Sequence, residues 1–574
     1  MKELVSFIRS SGQVHSKWYL ETYPDVAALK MNPAEHYLRF GALMGRNPGR
    51  NFNTRFYLSQ YPDVAESGLN PLVHFLQIGR AEGRLSKPVT VNAWQLVKTA
   101  RDKLQSRGFT EQPLSELRDI ASNHIDPAAQ GLAARDLAIW HLRLGTPEGW
   151  SAALASVAQA RSVSGDLDFR RTLAVIELLA FYYLGERKAG RDAYERAALS
   201  GEASADLFLA RSNLETDLSL RVSWINQALA AQNIPYISLS GRTELCPYDR
   251  LNIRNSVEPV LQGPKVSILI AAYDAGEFLP VTLRAVQQQS WRNLEIIVLD
   301  DCSPDPATLE IAHAFAAEDQ RIRVIRMEEN GGAYVARNRG LDEATGDFVT
   351  LNDADDWAHP LKIETQIRFL IDNPEMIGCT SQQARATPEL DFTVLRERGA
   401  FIIPNISSFM YRRKPVLEKV GYWDNVRFGA DVQFIRRVRK AFGKDSVQHL
   451  NTGILAFQRA TPDSATGDET FGYDGFKFGA RRIYEETEKA WLDKTDSPYL
   501  ERFPQKRPFF APGPMRPKRP ATKGEVRHFD VVLASDFRFP GGTTSSNAEE
   551  IQAQRQAGLK TGLVELFFYN FNTN

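Results

Sequence analysis

Residues 265–301 read KVSILIAAYDAGEFLPVTLRAVQQQSWRNLEIIVLDD, and they set the fold of the second half of the chain. The runs at 265–273 and 294–301 are apolar and are typical of buried strands. Between them, residues 278–290 carry apolar side chains at helical spacing. A strand, a helix and a second strand in this order predict two parallel strands joined by a helix.

The same alternation continues downstream. Further strands are predicted at 322–328 and 347–353, and further helices at 306–319 and 333–344. This pattern predicts a parallel α/β sheet with helices on both faces, in which ligands bind beyond the carboxyl ends of the strands. Three polar groups fall at such ends, namely Tyr273-Asp274, Asp300-Asp301 and the cluster from Asp353 to Asp356. The sequence therefore predicts a ligand site at this edge of the sheet.

Length and composition limit the range of functions. The chain has 574 residues, enough for three or four domains, and its 70 basic residues balance 70 acidic ones. This balance favours neither nucleic acid nor acidic lipid as an obligatory partner. The three cysteines lie far apart without metal-binding spacing, and no apolar stretch approaches the length of a membrane span. We therefore expect a cytoplasmic protein without a transmembrane segment, either soluble or peripheral at the inner face of the cytoplasmic membrane.

A 38-residue repeat occupies residues 1–90. WYLETYPDVAALKMNPAEHYLRFGALMGR begins at Trp18, and FYLSQYPDVAESGLNPLVHFLQIGRAEGR begins at Phe56. Each copy is typical of short helices separated by Asn-Pro and Gly. His36 and His74 occupy equivalent positions, and no Cys or acidic residue recurs with them as a metal ligand would. We therefore expect structural histidines in an interaction or packing module.

Residues 91–245 are rich in Ala, Leu, Arg and Glu and show helical periodicity. The stretches 136–145, 170–185 and 191–201 each end an apolar stripe with a glycine, which is a typical helix stop. Several antiparallel helices, stacked as a bundle or a short solenoid, would bury these stripes. We expect a structural or docking region without catalytic groups.

Two further segments follow residue 490. Residues 491–527 are rich in Pro, Lys and Arg and predict an extended, solvated linker, with contact to lipid headgroups as the alternative. Residues 528–574 predict a strand, a glycine loop, a helix and a second strand. Two strands do not form a stable sheet alone, so either the chain is a fragment of a longer protein or these residues pack elsewhere. We favour the fragment.

The acidic cluster in VTLNDADDWAHP, residues 349–360, suits a hard divalent cation. Mg²⁺ and Mn²⁺ prefer oxygen ligands and are held by one or two carboxylates together with substrate phosphates. Such a cation stabilises the charge that builds on a departing phosphate. Alone, a short acidic cluster is also typical of a solvated turn. The second cluster at Asp300-Asp301, at another strand end of the same sheet, favours the metal.

Residues 265–460 resemble the GT-A domain of family 2 glycosyltransferases. The likeness is carried by VSILIAAYDAGEFLPVTLRAVQQQSWRNLEIIVLDDCSPD, by NGGAYVARNRGLDEATGDFVTLNDADDW and by FGADVQFIRRV. The resemblance implies a Rossmann-like mixed sheet in a GT-A domain at 255–490. It also implies an inverting enzyme that depends on a nucleotide sugar and on Mn²⁺ or Mg²⁺.

The resemblance implies donor-binding roles at the strand ends. The residues after the first strand match positions that contact base and ribose, and one of the two aspartates after the second strand matches a partner of the base, typically uracil. This implies a UDP-sugar. The Asn-Gly-Gly stretch and the helix after it match a region that closes the donor pocket. The implied donor-binding residues are Ala272, Tyr273, Asp274, Asp300, Asp301, Gly331, Arg337, Asn338, Asp353 and Asp355.

The resemblance also implies the metal ligands and the base. Asp356 matches the direct metal ligand, and Asp355 matches a second ligand or a contact to ribose or metal-bound water. An inverting transfer needs a base that takes the proton of the acceptor hydroxyl. Asp431 matches that base, although Ala430 stands where the family usually has Glu. The alternatives are a helix N-cap for Asp431 and a surface charge for Arg337.

Four other positions qualify the likeness. Cys302 stands where the family usually has Gly, and Asp274 stands where Asn is commoner. In the late strand, His449 and Arg459 are candidates for the Arg or His that approaches the diphosphate.

The stretch DVVLASDFRFPGGTTSSNAEE resembles the start of a GT-B glycosyltransferase such as those of family 4. This resemblance implies one half of a bifunctional enzyme.

We therefore expect a metal-dependent hexosyl- or related glycosyltransferase that builds a bacterial surface polysaccharide, such as O antigen or capsule. Its acceptor would be a saccharide or a lipid-linked saccharide, and its repeats would dock polysaccharide-assembly proteins. The alternative is a non-catalytic module that binds nucleotide sugar or assembles a synthesis complex. A nucleotidyltransferase is disfavoured because AAYDAGEFLP lacks a Gly-rich loop with Arg and Lys.

Overall fold

The computed structural model describes residues 2–49, 51–87, 93–106, 110–163, 165–393, 399–460, 479–503, 507–517, 528–535 and 542–565. The chain divides into two compact units, Met1–Leu96 and Val97–Asn574. Within the described ranges, no helix combines the length and the apolar character needed to cross a membrane.

The first unit consists of short helices. They are α1 (Lys2–Ser10), α2 (Ser16–Thr22), α3 (Pro24–Ala28), α4 (Pro33–His36), α5 (Thr54–Gln60), α6 (Pro62–Ser67) and α7 (Pro71–His74). Helices α4 and α7 each continue into a π-helical turn, Tyr37–Gly41 and Phe75–Gly79. Asn32 and Asn70 accept backbone N–H bonds at the start of α4 and α7, so the Asn-Pro pairs begin helices.

Both histidines of this unit bond to a tyrosine. His36 Nδ1 lies 2.9 Å from the Tyr19 hydroxyl, and His74 Nδ1 lies 3.0 Å from the Tyr57 hydroxyl. Both rings are buried, and burial lowers the pKa of His36. His36 and His74 therefore have a structural role, as expected from the sequence. The tyrosines approach the π-helical turns so closely that a Cβ atom at Gly79 would overlap the Tyr57 hydroxyl.

The second unit begins within the first of a run of helices. They are α8 (Ala93–Ser106), α9 (Glu111–Asn123), α10 (Pro127–Arg143), α11 (Pro147–Ser162), α12 (Leu167–Leu184), α13 (Arg187–Leu199), α14 (Ala205–Ser212) and α15 (Leu218–Ala230). Their ends follow the local sequence: the Asp166 side chain caps the start of α12, and Gly185 ends it with a φ of 74°.

A mixed sheet follows a small hairpin of β1 (Ile237–Leu239) and β2 (Leu251–Ile253). Its order is β5-β4-β3-β6-β10-β8-β11-β7, with β9 beside β8. Strands β3 to β6 are mutually parallel where they pair, and β10 runs antiparallel between β6 and β8. The strands are β3 (Val266–Ala272), β4 (Leu294–Asp300), β5 (Ile322–Arg326), β6 (Phe348–Leu351), β7 (Trp357–Ala358), β8 (Gly378–Ala386), β9 (Ile403–Pro404), β10 (Met410–Arg412) and β11 (Val447–Arg459).

The helices between these strands confirm the predicted alternation. Strand β3 and helix α16 fall within the predicted segments, as do the next five elements up to β6. The helices are α16 (Leu279–Gln287), α17 (Ala307–Glu318), α18 (Ala333–Glu343), α19 (Lys362–Asp372), α20 (Arg413–Lys419), α21 (Ala430–Phe442) and α22 (Ala480–Lys494).

The helical region and the sheet share one core. Leu137 and Leu209 of the helices belong to the same buried cluster as Trp357, Ala384 and Phe457 of the sheet. The side-chain amide of Asn213 bonds to both backbone groups of Phe392. The boundary predicted between a 91–245 domain and a 255–490 domain is therefore not a physical separation, because both form one packed body.

The segment after α22 also differs from its prediction. Ala511 and Met515 are fully buried, and Arg507 forms an ion pair with Asp424. The Thr487 hydroxyl donates to the Phe510 carbonyl at 2.6 Å. Residues 507–517 are thus packed against the preceding fold rather than solvated, because their apolar side chains complete its core. Residues 504–506 and 518–527 of the predicted linker lie outside the described residues.

The final elements are β12 (Val531–Ser535), α23 (Gly542–Gln556) and β13 (Thr561–Glu565). The two strands are parallel, with Val531 opposite Thr561. This is the predicted order of strand, helix and strand. Residues 536–541, which include the first half of the predicted glycine loop at 540–543, and residues 566–574 lie outside the described residues. The likeness to a GT-B domain stays a prediction.

We expect Gly79→Ala to destabilise the first unit by about 1–3 kcal/mol, because the added methyl group displaces the Tyr57 hydroxyl from His74. Hydrogen exchange of residues 51–87 in the full-length chain measures this loss of protection. Gln77→Ala, at an exposed position of the same turn, is the matched control. Equal protection in both variants would contradict the tight contact.

Candidate active site

Parallel pairing brings three strand ends to one edge of the sheet. Ala272 of β3 lies opposite Asp300 of β4, and Leu269 of β3 lies opposite Leu351 of β6. Since parallel strands end at the same edge, the residues after β3, β4 and β6 lie side by side. The structure therefore brings together the three polar groups that the sequence places at strand ends.

The second of these groups organises a glycine loop. Asp301 accepts the backbone N–H of Gly331 at 3.0 Å and that of Gly332 at 2.7 Å. Burial raises the pKa of Asp301, and the two N–H donors oppose this effect. Neighbouring Asp300 is buried and accepts the Ser303 N–H at 3.3 Å through Oδ1. Its Oδ2 atom accepts no hydrogen bond among the described residues, and Arg326 Nε lies 3.7 Å from it.

Two positions at this edge have a left-handed backbone. Asp274 has a φ of 51° and Cys302 a φ of 59°. Glycine and asparagine adopt this conformation most easily, which explains why a family would use them where this chain has Cys302 and Asp274. The Asp274 N–H donates to Ser303 at 2.9 Å, and the Tyr273 side chain beside it is half exposed. Tyr273 is therefore accessible to a ligand.

Arg337 is a buried cation. Its Nη2 donates to Asp353 Oδ1 at 2.5 Å, and its guanidinium lies 5.1 Å from the centre of the Tyr334 ring. Burial lowers the pKa of Arg337, but Asp353, Tyr334 and Asp431 outweigh this and raise it. With 7% of its surface exposed, Arg337 is not the surface helix charge of the alternative interpretation.

Asn338 faces the loop before α21. Its amide nitrogen donates to the Trp423 carbonyl at 2.8 Å and to Asn425 at 3.0 Å, and its oxygen accepts the Trp423 N–H at 2.9 Å. The side chain thus fixes this loop. A direct contact between Asn338 and a donor stays a prediction, as do the other donor-binding assignments.

Asp355 and Asp356 crowd like charges into a partly dry site. Burial raises the pKa of Asp355 to about 6, with a further contribution from Asp353. Burial also raises the pKa of Asp356 well above its usual range, and Asp355 and Asp353 add to the shift. The Arg459 N–H donates to Asp356 at 2.9 Å and opposes it only in part. A bound cation would offset this repulsion, so these two residues fit an Mn²⁺ or Mg²⁺ ion.

The protein does not supply a complete coordination shell. Across the described ranges, no group of three or more His, Cys, Asp or Glu side chains is placed to hold a metal ion. Lys362, the nearby buried cation, donates to Asn352 at 2.9 Å, and burial lowers its pKa to about 8. Two carboxylates leave most coordination positions of such an ion open, and a diphosphate and water would fill them.

Asp431 lies in the first turn of α21. The cap position belongs to Gly429, with a φ of 79°, so Asp431 is not the N-cap of the alternative interpretation. Its half-buried carboxylate accepts the Val432 N–H at 2.8 Å. Its charge also raises the pKa of both Tyr334 and Arg337. Asp431 is therefore in electrostatic reach of the residue that pairs with Asp353.

A contact that the sequence does not predict completes the site. Arg459, the last residue of β11, forms an ion pair with Asp249. The Tyr248 hydroxyl donates to the Phe457 carbonyl at 2.5 Å and accepts the Trp357 N–H at 3.1 Å, so it joins β11 to β7. Residues 246–250 fall between the two predicted domains and carry no recognisable motif. In the sequence, only the position of Arg459 in the late strand pointed to this part of the site.

His449, the other candidate from that strand, is engaged by the protein. Its Nδ1 lies 2.7 Å from the Thr380 hydroxyl, and its Nε2 lies 3.1 Å from Arg439. Of the two candidates, Arg459 is therefore the one that contacts the acidic cluster.

Part of the chain is similar to known proteins. Residues 267–441 match the model of glycosyl transferase family 2. A provisionally assigned teichuronic acid biosynthesis glycosyltransferase of Bacillus subtilis (strain 168), TuaG, is 38% identical over 109 residues, which are 19% of this chain and 43% of TuaG. The glycosyltransferase GlyG of Streptococcus pneumoniae serotype 4 is 37% identical over 100 residues, which are 17% of this chain and 33% of GlyG. The chain thus spans less than half the length of either relative.

Two solved structures are also similar. S. aureus TarS in complex with UDP-GlcNAc is 20% identical, over 35% of this chain and 60% of that chain, with a TM-score of 0.28. A mannosyltransferase from Pyrobaculum calidifontis in complex with GDP-Man and Mn²⁺ is 13% identical, over 42% of this chain and 68% of that chain, with a TM-score of 0.31. From the family match and the curated relatives, residues 267–441 form a glycosyl transferase family 2 domain.

Proposed function

We propose that this protein is an inverting glycosyltransferase that moves a hexosyl or related sugar from a nucleotide-sugar donor to a growing bacterial surface polysaccharide. The acceptor is a saccharide or a lipid-linked saccharide. One observation carries the proposal. Asp353, which belongs to the acidic cluster with Asp355 and Asp356, bonds to the buried cation of Arg337, and Asp431 interacts electrostatically with the same cation.

The strand ends support a nucleotide-binding role. Asp300 Oδ2, which accepts no hydrogen bond among the described residues, suits the ring N–H of uracil, which supports a uridine nucleotide. Exposed Tyr273 offers an aromatic face beside it. The backbone N–H groups of Gly331 and Gly332 are held in place by Asp301. Asp355 and Asp356 would hold a divalent cation, which stabilises the negative charge of the departing nucleoside diphosphate.

The transfer itself needs a base on the side opposite the leaving group. In the proposed step, the acceptor hydroxyl oxygen bonds to the anomeric carbon while the bond from that carbon to the diphosphate oxygen breaks. The hydroxyl proton passes to Asp431, and the bonding pair leaves with the diphosphate. The buried Tyr334 beside Asp431 supports a fixed position for this carboxylate.

We expect Asp431→Asn to lower sugar transfer by about 10²–10⁴-fold, because the amide cannot take up the acceptor proton. Binding of the donor should persist, since the carboxylate acts on the acceptor. Radiolabelled sugar transfer from a panel of nucleotide sugars measures the first quantity, and calorimetric titration of the selected nucleotide sugar measures the second. Asp445→Asn, at an exposed position beyond the end of α21, is the control.

The outcomes of that experiment separate the proposal from its alternative. Full transfer by Asp431→Asn would show that another group is the base. If the wild-type chain binds a nucleotide sugar but transfers nothing to any acceptor tested, the non-catalytic binding or assembly module is the better account.

We expect Asp300→Asn to weaken the binding of UDP by about 10–100-fold, because a buried acceptor for the uracil N–H is altered. Binding of CDP should change less, because cytosine has no ring N–H, so the ratio of the affinities for UDP and CDP is the number to compare. Isothermal titration with each nucleotide in excess Mn²⁺ provides it. Glu310→Gln, an exposed substitution on α17, is the control. An unchanged ratio would remove Asp300 from base recognition.

Metal removal gives an independent check. We expect EDTA to abolish transfer and added Mn²⁺ or Mg²⁺ to restore it, because two crowded carboxylates alone cannot neutralise the diphosphate. In a thermal-shift assay, Mn²⁺ with UDP should raise the melting temperature of the wild-type chain by mass action, and Asp356→Asn should lose this rise. Transfer that proceeds in EDTA would contradict a metal-dependent mechanism.

A further inference from the structure

Arg459 lies beside the acidic cluster without forming an ion pair with its carboxylates. Its backbone N–H donates to Asp356 Oδ1 at 2.9 Å, and its Nε donates to the backbone oxygen of Asp355 at 3.3 Å. Its ion pair is with Asp249. Neither of the two cluster side chains forms an ion pair with it in the part of the chain that the structure describes. The guanidinium thus stands next to two acids and pairs with a third.

Several elements fix the direction of this guanidinium. It lies 4.1 Å from the centre of the Tyr248 ring and 4.7 Å from that of Phe278. Asp249 is itself held, because Cys246 Sγ donates to its second carboxylate oxygen at 3.0 Å and Arg284 donates to its carbonyl at 3.4 Å. The arrangement is buried, and 2% of Arg459 is exposed.

We infer that Asp249 is a positioning residue that draws the Arg459 guanidinium away from the carboxylates of Asp355 and Asp356, and so keeps these two available to a divalent cation. The inference rests on the proposed function for the nature of that cation site. Asp249 and Arg459 both lie outside the residues matched to the family, so this device belongs to the surrounding chain.

The physical reason is that an uncompensated buried guanidinium is costly, so loss of its anionic partner favours pairing with another carboxylate within reach. Without the charge of Asp249, Arg459 would still contact two acidic residues. Its backbone N–H bonds to the Asp356 carboxylate, and its Nε bonds to the Asp355 carbonyl, so the carboxylates of these residues are the candidates for a new ion pair. A guanidinium paired with either would compete with a cation for the same oxygen atoms. Replacing Arg459 together with Asp249 would remove the group that competes with the cation.

This reasoning predicts an unusual pattern in a double-mutant cycle. Asp249→Asn should weaken the binding of Mn²⁺ by at least about 10-fold, and the double variant Asp249→Asn/Arg459→Gln should bind Mn²⁺ to within about 3-fold of the wild-type chain. Electron paramagnetic resonance of free Mn²⁺, titrated with the full-length protein and without nucleotide, measures both. The double variant also avoids an unpaired buried charge, so it folds where the single variant could fail.

The matched control is an ion pair with a buried acid in the same unit. Arg161 and Glu202 lie 3.0 Å apart in the helical region, and Glu202 is 2% exposed. Glu202→Gln should lower the melting temperature while leaving the affinity for Mn²⁺ unchanged. Circular dichroism of every variant reports whether it is folded.

Two results would overturn the inference. One is an Asp249→Asn variant that is folded and binds Mn²⁺ as tightly as the wild-type chain. The other is a double variant that binds as weakly as the single one, because Asp249 would then act through the fold alone. Sugar transfer by the wild-type chain in the same preparation keeps the proposed function separate. A wild-type chain that neither binds Mn²⁺ nor transfers sugar would overturn both.

Discussion

Repulsion between buried carboxylates is the constraint around which the second unit is arranged. Parallel pairing of β3, β4 and β6 forces their acidic ends onto one edge, where burial removes the water that would screen them. Three of the acids have separate partners: backbone N–H groups for Asp301, a guanidinium for Asp353 and a single N–H for Asp356. A divalent cation would neutralise the charge that remains on Asp355 and Asp356, and a diphosphate would supply further ligands to that cation.

The helical region contributes to this arrangement through the shared core. The carboxylate of Asp206 accepts the N–H groups of Phe401 and Ile402, and Arg221 pairs with Asp391 at 3.0 Å. These contacts hold the chain between β8 and β9, just before β9 pairs with β8. The helical region, which the sequence predicts as a separate docking domain, thus packs directly against the sheet that carries the site. Its stability and that of the sheet are coupled, because neither buries its apolar surface alone.

Much of the fold and part of the site follow from the sequence. Local pattern predicts the elements from β3 to β6, because continuous apolar runs and helical periodicity are short-range signals. The same pattern places Asp300, Asp301 and Asp353 at strand ends. The antiparallel β10 and the contacts of Asn338 could not be predicted, because they depend on pairings between residues far apart in the chain. Asp249 and Tyr248 were missed for the same reason, since nothing in CPYDR marks a partner two hundred residues away.

The position of Asp431 is set largely from outside its own helix. Asn338 fixes the loop at Trp423, and the next residue, Asp424, pairs with Arg507 and accepts a bond from the Tyr484 hydroxyl at 2.9 Å. The Arg427 N–H donates to the Met515 carbonyl at 2.8 Å, four residues before Asp431. The loop that enters α21 is therefore clamped between α18 and the segment after α22. Since proton transfer depends on a hydrogen-bond distance, a base at the start of this helix requires such a clamp, and the family match at 267–441 contains only one side of it.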